Sequence, residues 1–97
     1  MTDSVSSNNR WGFVAVGNTS RVAKITVSRS TAAHNFYSGY QTEGDGTAVM
    51  TVSGSVASNN DNWGFKNFGG TFRSLGDNTV FDNTTDTSGT ITVVAPK

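Results

Sequence analysis

The sequence predicts an all-β fold, a small antiparallel β-sandwich of the jelly-roll or Greek-key kind with about seven to eight short strands. Three observations predict it. The apolar residues are mostly Val and Phe, with a single leucine at Leu75, and they stand among many threonines, which suits a pleated surface better than a helix. Short alternating segments are punctuated by Gly, Asn, Asp and Ser clusters at strand-like spacing. The chain also repeats itself. Ser4-Val5-Ser6-Ser7-Asn8-Asn9-Arg10-Trp11-Gly12-Phe13 returns as Ser55-Val56-Ala57-Ser58-Asn59-Asn60-Asp61-Asn62-Trp63-Gly64-Phe65, with one residue inserted. Downstream, Gly17, Thr19 and Arg21 answer to Gly69, Thr71 and Arg73, and Gly46-Thr47 and Gly89-Thr90 open similar strands. A duplication of this kind implies two halves, 1–53 and 54–97, within a single domain 1–97.

Composition narrows the possibilities. Val, Ile, Leu and Phe together number 20 of 97 residues, enough for one modest core in a chain whose net charge is zero. Seven basic and seven acidic side chains are scattered without a run of either sign. That argues against duplex nucleic acid, which needs a concentrated basic face, and against a polybasic membrane anchor. With no cysteine there is neither a disulfide framework nor a zinc–thiolate site. Neither a transmembrane segment nor a signal peptide is expected, and both secreted and cytoplasmic locations are compatible.

The elements follow in order. Trp11 to Val16 carries apolar groups on both faces, the pattern of a central strand. Gly17-Asn18-Thr19-Ser20 is a turn cluster, and a hairpin through Asn18 is the simplest link to the next strand. Arg21 to Arg29 then alternates, with Ala23, Ile25 and Val27 on one face and Val22, Lys24, Thr26 and Ser28 on the other. Residues 30–46 are least regular and lack a counterpart in the two-copy scheme; they hold His34, Phe36, Tyr37 and Tyr40, and end in the turn signal Glu43-Gly44-Asp45-Gly46. Thr47 to Val56 is a β-branched strand that Gly54 interrupts. Trp63–Phe68 and Thr71–Leu75 match the Trp11 and Arg21 strands, and Thr79–Phe81 and 89–95 complete the set.

Catalysis finds little purchase. His34 is the only histidine and no nucleophile-elbow pattern occurs, so the chain is read as non-enzymatic, without cofactor or metal. The Asx residues from Asp77 to Asp86 could supply calcium oxygens, but solvated turns explain them as well. The Asn-Thr-Ser and Asn-Thr-Thr sequons at Asn18 and Asn83 matter only in a eukaryotic secretory protein.

The tryptophan phrases have two readings. Trp11 and Trp63 fill equivalent core positions, or an indole stacks on a sugar while neighbouring amides bond its hydroxyls. The second reading selects Asn8, Asn9, Arg10, Trp11, Asn59, Asn60, Asp61, Asn62 and Trp63 as ligand-binding residues, with Tyr37 and Tyr40 from the second aromatic group. The expected function is a lectin-like protein binding a glycan or other small polyhydroxyl ligand. The alternatives are an assembly protein that forms homo-oligomers through β-edges, and a membrane-acting, toxin-like β protein.

Overall fold

The computed structural model describes residues 3–17, 22–44 and 48–94. Strands account for most of them: β1 (Val5–Ser7), β2 (Trp11–Gly17), β3 (Ala23–Ser28), β4 (Thr31–Ala33), β5 (Ser38–Gly44), β6 (Ala48–Ser53), β7 (Val56–Ser58), β8 (Trp63–Phe68), β9 (Thr71–Ser74), β10 (Thr79–Phe81), β11 (Thr85–Ser88) and β12 (Ile91–Val93). Every pairing among them is parallel. The three sheets run β1-β4-β7-β10, β2-β5-β8-β11 and β3-β6-β9-β12 in space. Consecutive strands therefore lie in different sheets, and the chain returns to a sheet only after visiting the other two. That is a β-solenoid of four rungs, about three turns from first rung to last.

The expected antiparallel sandwich is thus corrected to a parallel solenoid, and seven to eight strands become twelve. The physical reason is simple. Alternation shows that a strand has an inner and an outer face, but not which neighbour it pairs with. The Ala23, Ile25 and Val27 side of β3 does turn inward, with Lys24 and Thr26 exposed. The expected hairpin does not form, because β2 and β3 belong to different sheets; residues 18–21, with the Asn18 sequon, lie outside the described residues. So do Asp45 and Gly46 of the second turn signal.

The stride is close to 25 residues. Val5, Thr31, Val56 and Thr79 stand in one column, as do Trp11, Ser38, Trp63 and Thr85. The two Trp-Gly-Phe phrases therefore lie two rungs apart, and Ser38-Gly39-Tyr40 occupies the rung between. The described part of the 30–46 stretch carries β4 and β5 and belongs to the second rung. β1–β6 fall within 1–53 and β7–β12 within 54–97.

In-register stacking builds the core from columns of like side chains. Phe13, Tyr40 and Phe65 form one, Ile25, Met50, Phe72 and Ile91 a second, and Ala32, Ala57 and Val80 a third. Phe13 stacks on Tyr40 at 5.1 Å between ring centroids, Tyr40 meets Phe65 edge-on at 5.4 Å, and Phe65 reaches Phe72 at 4.9 Å. Each such pair adds about 0.5–1.5 kcal/mol beyond the area it buries.

Tyr40 is fully buried and donates its hydroxyl hydrogen between the carbonyls of Ser30 and Val56, each at 3.1 Å. Burial pushes its phenol up to about 12, against a smaller opposite pull from a hydrogen bond with Ser55. An unfolded tyrosine ionises near ~10, so the folded chain keeps a proton that the unfolded chain releases. Stability is accordingly complete below about pH 10 and declines by roughly 2–3 kcal/mol as pH rises to about 12. Urea midpoints measured across that window should show the fall, and Tyr40→Phe should flatten it.

Candidate functional site

The corner joining the β1 and β2 sheets collects residues 8–10, 34–37, 59–62 and 82–84 from the four rungs. Asn8, His34, Asn59 and Asp82 take the same position in it, with φ of 59°, 57°, 55° and 56°. Asn, Asp and His tolerate that left-handed conformation better than most residues. Backbone bonds tie one rung to the next: Asn8 N to His34 O, Phe36 N to Asn9 O, Tyr37 N to Arg10 O, and Asp61 N to Asn35 O.

Inside the corner runs an asparagine ladder. The backbone N–H groups of Asn9, Asn35 and Asn60 donate to the side-chain Oδ1 of Asn35, Asn60 and Asn83 at 3.2, 3.1 and 2.9 Å. The Nδ2 groups of Asn35 and Asn60 donate along the same line at 3.0 and 2.8 Å. Every buried polar group of a sharp bend needs a partner, and an amide, being both donor and acceptor, repeats without end. At the fourth rung Asp86 takes over: its Oδ1 accepts from Asn83 N at 3.2 Å and from Asn83 Nδ2 at 3.1 Å. Two more Asx side chains of the 77–86 stretch serve similar ends: Asp77 accepts from Gly54 N and Asn78 from Ser55 N, both at 2.8 Å.

Outside the ladder stands an aromatic zipper. Tyr37 meets Trp11 edge-on at 5.8 Å and Trp63 at 4.9 Å, so the two indoles sandwich it across two rungs. Lys66 Nζ lies 3.7 Å from the Trp63 ring centroid and 5.0 Å from that of Phe68. Arg10 sits over Trp11 at 5.4 Å. Both indoles are half-buried and each has a cation over its ring, which leaves less free face for a sugar than the sequence implies. Trp11 also buries its indole Nε1–H without an acceptor.

Beside the zipper a shallow groove of about 390 Å³ opens to solvent, lined by Asn8, Asn9, Arg10, His34, Phe36 and Asp61. Phe36 is 60% exposed, and it has no ring or cation partner among the described residues. The Arg10 and Asp61 side chains make no ion pair with each other or with any described residue. The ladder runs behind the groove and bonds the Asn9 backbone N–H of its lining.

Most of the residues selected from sequence meet at this one corner. Asn8, Asn9, Arg10 and Asp61 line the groove; Trp11, Tyr37 and Trp63 form the zipper next to it; Asn59 and Asn62 belong to the same bend. Two stand apart. Asn60 is 2% exposed with its amide committed to the ladder, and Tyr40 lies in the core. His34 and Phe36, which belong to the second aromatic group but are not among the residues selected from sequence, also line the groove. The signal for them was positional: a stride of about 25 residues from Asn8 and Asn59 lands on His34.

The fold and the corner together define a β-solenoid carrying a polar groove on a ladder-braced bend. Comparison with family models, curated proteins and solved structures finds no match to this chain.

Proposed function

We propose that the chain is a non-enzymatic binding module whose corner groove takes a carbohydrate. The observation that carries this reading is the groove's composition: one unpartnered aromatic ring ringed by amides, a guanidinium, an imidazole and a carboxylate. A pyranose offers an apolar C–H face to Phe36 and hydroxyls to Asn8 and Asn9, whose amides donate or accept, and to Asp61, whose carboxylate accepts. The ladder holds the backbone that carries these groups, so less order must be created on binding. The aromatic platform is Phe36, with Trp11 and Trp63 in the zipper beside the groove.

A panel of mono- and oligosaccharides titrated against the protein, followed by tryptophan fluorescence and amide shifts, tests this. Phe36→Ala is expected to weaken the responding sugar at least ~10-fold, as lost stacking of about 1.5 kcal/mol would. Its fold should be unchanged, because Phe36 packs on no other ring. Undiminished binding by that variant would place the ligand elsewhere.

A second reading, self-assembly, draws on the outer face of the β2-β5-β8-β11 sheet. There Val16 and Phe68, 55% and 63% exposed, flank Glu43 in one column. Sugar-independent dimers in sedimentation, lost in Phe68→Glu, would favour it.

A further inference from the structure

We infer that the groove prefers an acidic sugar, a pyranose bearing a carboxylate, over its neutral counterpart; this rests on the carbohydrate reading above. Three observations point to it. Arg10 is the one guanidinium in the groove, it is exposed, and no described carboxylate or carbonyl accepts from it. Its five donors form a planar fork that matches a carboxylate in a bidentate pair. Second, the guanidinium lies over the Trp11 ring at 5.4 Å and lines the same groove as Phe36, whose backbone neighbour Tyr37 donates its N–H to the Arg10 carbonyl at 2.7 Å.

Third, the groove separates its charges by rung. Arg10 lies on the first, His34 and Phe36 on the second, and Asp61 on the third, one strand spacing of about 4.8 Å per step. A ligand laid across Phe36 therefore meets donors at one end and a carboxylate acceptor at the other. A sugar acid is polarised in the same way, with a carboxylate at one side of the ring and hydroxyl donors at the other. Asp61 turns away a second negative charge and accepts from hydroxyls. A neutral sugar would leave the Arg10 fork facing water.

The test compares glucuronate with glucose and galacturonate with galactose, with acetate as a carboxylate lacking the ring. The better acidic sugar is expected to bind at least about 5-fold tighter than its neutral partner at low salt, a gap that narrows as salt rises. Arg10→Gln should abolish the gap, so that acidic and neutral sugars bind this variant equally, and its exposed position predicts an unchanged fold. Equal binding of acidic and neutral sugars would overturn this inference and leave the proposed function standing. So would a preference that survives Arg10→Gln. Acetate binding as tightly as the acidic sugar would show a plain anion site and overturn it as well. If no sugar binds at all, both readings fall together.

Discussion

Asn60→Ala is expected to cost about 3–5 kcal/mol, a large share of the roughly 5–15 kcal/mol that holds a domain of this size. Asn60 Oδ1 accepts from Asn35 N at 3.1 Å and Asn35 Nδ2 at 3.0 Å, while its own Nδ2 donates to Ala32 O at 3.2 Å and Asn83 Oδ1 at 2.8 Å. Truncation leaves Asn35 N buried without its acceptor, at about 1–3 kcal/mol, strips one bond each from Asn35 Nδ2, Ala32 O and Asn83 Oδ1, and opens a small cavity besides. Asn60→Asp sharpens the test. The shape is kept, but both donations are lost and a carboxylate faces the Asn83 oxygen, so this variant should be at least as unstable at neutral pH. The first-rung residue provides the control. Asn9 is exposed and its Nδ2 donates only to Ser6 Oγ among the described residues, so Asn9→Ala should shift the urea midpoint little. Should Asn60→Ala prove as mild as Asn9→Ala, the ladder does not hold the corner.

What could be read from the sequence, and what could not, divides along a physical line. Strand formation is local: β-branched and aromatic residues alternating between turn signals announce β2, β3, β6 and β8 without knowledge of their partners. Pairing is not local. The faces of β3 are the same whether its neighbour is an antiparallel hairpin arm or a parallel strand 25 residues on, and only the stride distinguishes them. That stride was concealed because the middle rung writes Ser38-Gly39-Tyr40 where its neighbours write Trp-Gly-Phe, so a repeat of one rung looked like a repeat of two. With the shorter stride, Asn9, Asn35, Asn60 and Asn83 fall into line, as do Gly12, Gly39 and Gly64. The site was legible for a related reason. Residues chosen as one phrase and its echo share a column in a solenoid, which brings Arg10 and Asp61 to one groove although 51 positions separate them in the chain. Burial was the illegible part. Asn59 and Asn60 are neighbours of one type, and only the left-handed turn at Asn59 decides that one faces solvent and the other the ladder.

Gly64→Ala is the second substitution expected to cost heavily, about 3 kcal/mol or more. A Cβ there would lie 2.6 Å from Asn83 Nδ2, 2.7 Å from Val80 Cγ1 and 2.8 Å from Asp86 O. Two of these three belong to the ladder and the backbone of the next rung, which cannot retreat without breaking the bonds that join the rungs. Gly39 faces the same constraint, at 2.9 Å from both Gly64 O and Asn60 Nδ2. The glycine column is therefore the counterpart of the asparagine column: the amides fill the inside of the bend, and only a missing side chain lets the strand start close enough to it. The fourth rung shows the rule by its exception. Between the pairs Thr85–Trp63 and Thr87–Phe65 the column passes to Asp86, whose carboxylate closes the ladder on Asn83. Gly54 separates steric need from backbone conformation. Its φ is 52°, yet a Cβ would meet nothing nearer than 3.8 Å, so Gly54→Ala should cost only the left-handed strain of about 1–2 kcal/mol. Thermal melts of the two variants should differ accordingly, with Gly64→Ala much the lower. Equal melting temperatures would mean that the close approach at Gly64 is not what requires glycine. In that case the Trp-Gly-Phe phrase would owe its repetition to the indoles and the zipper they form around Tyr37.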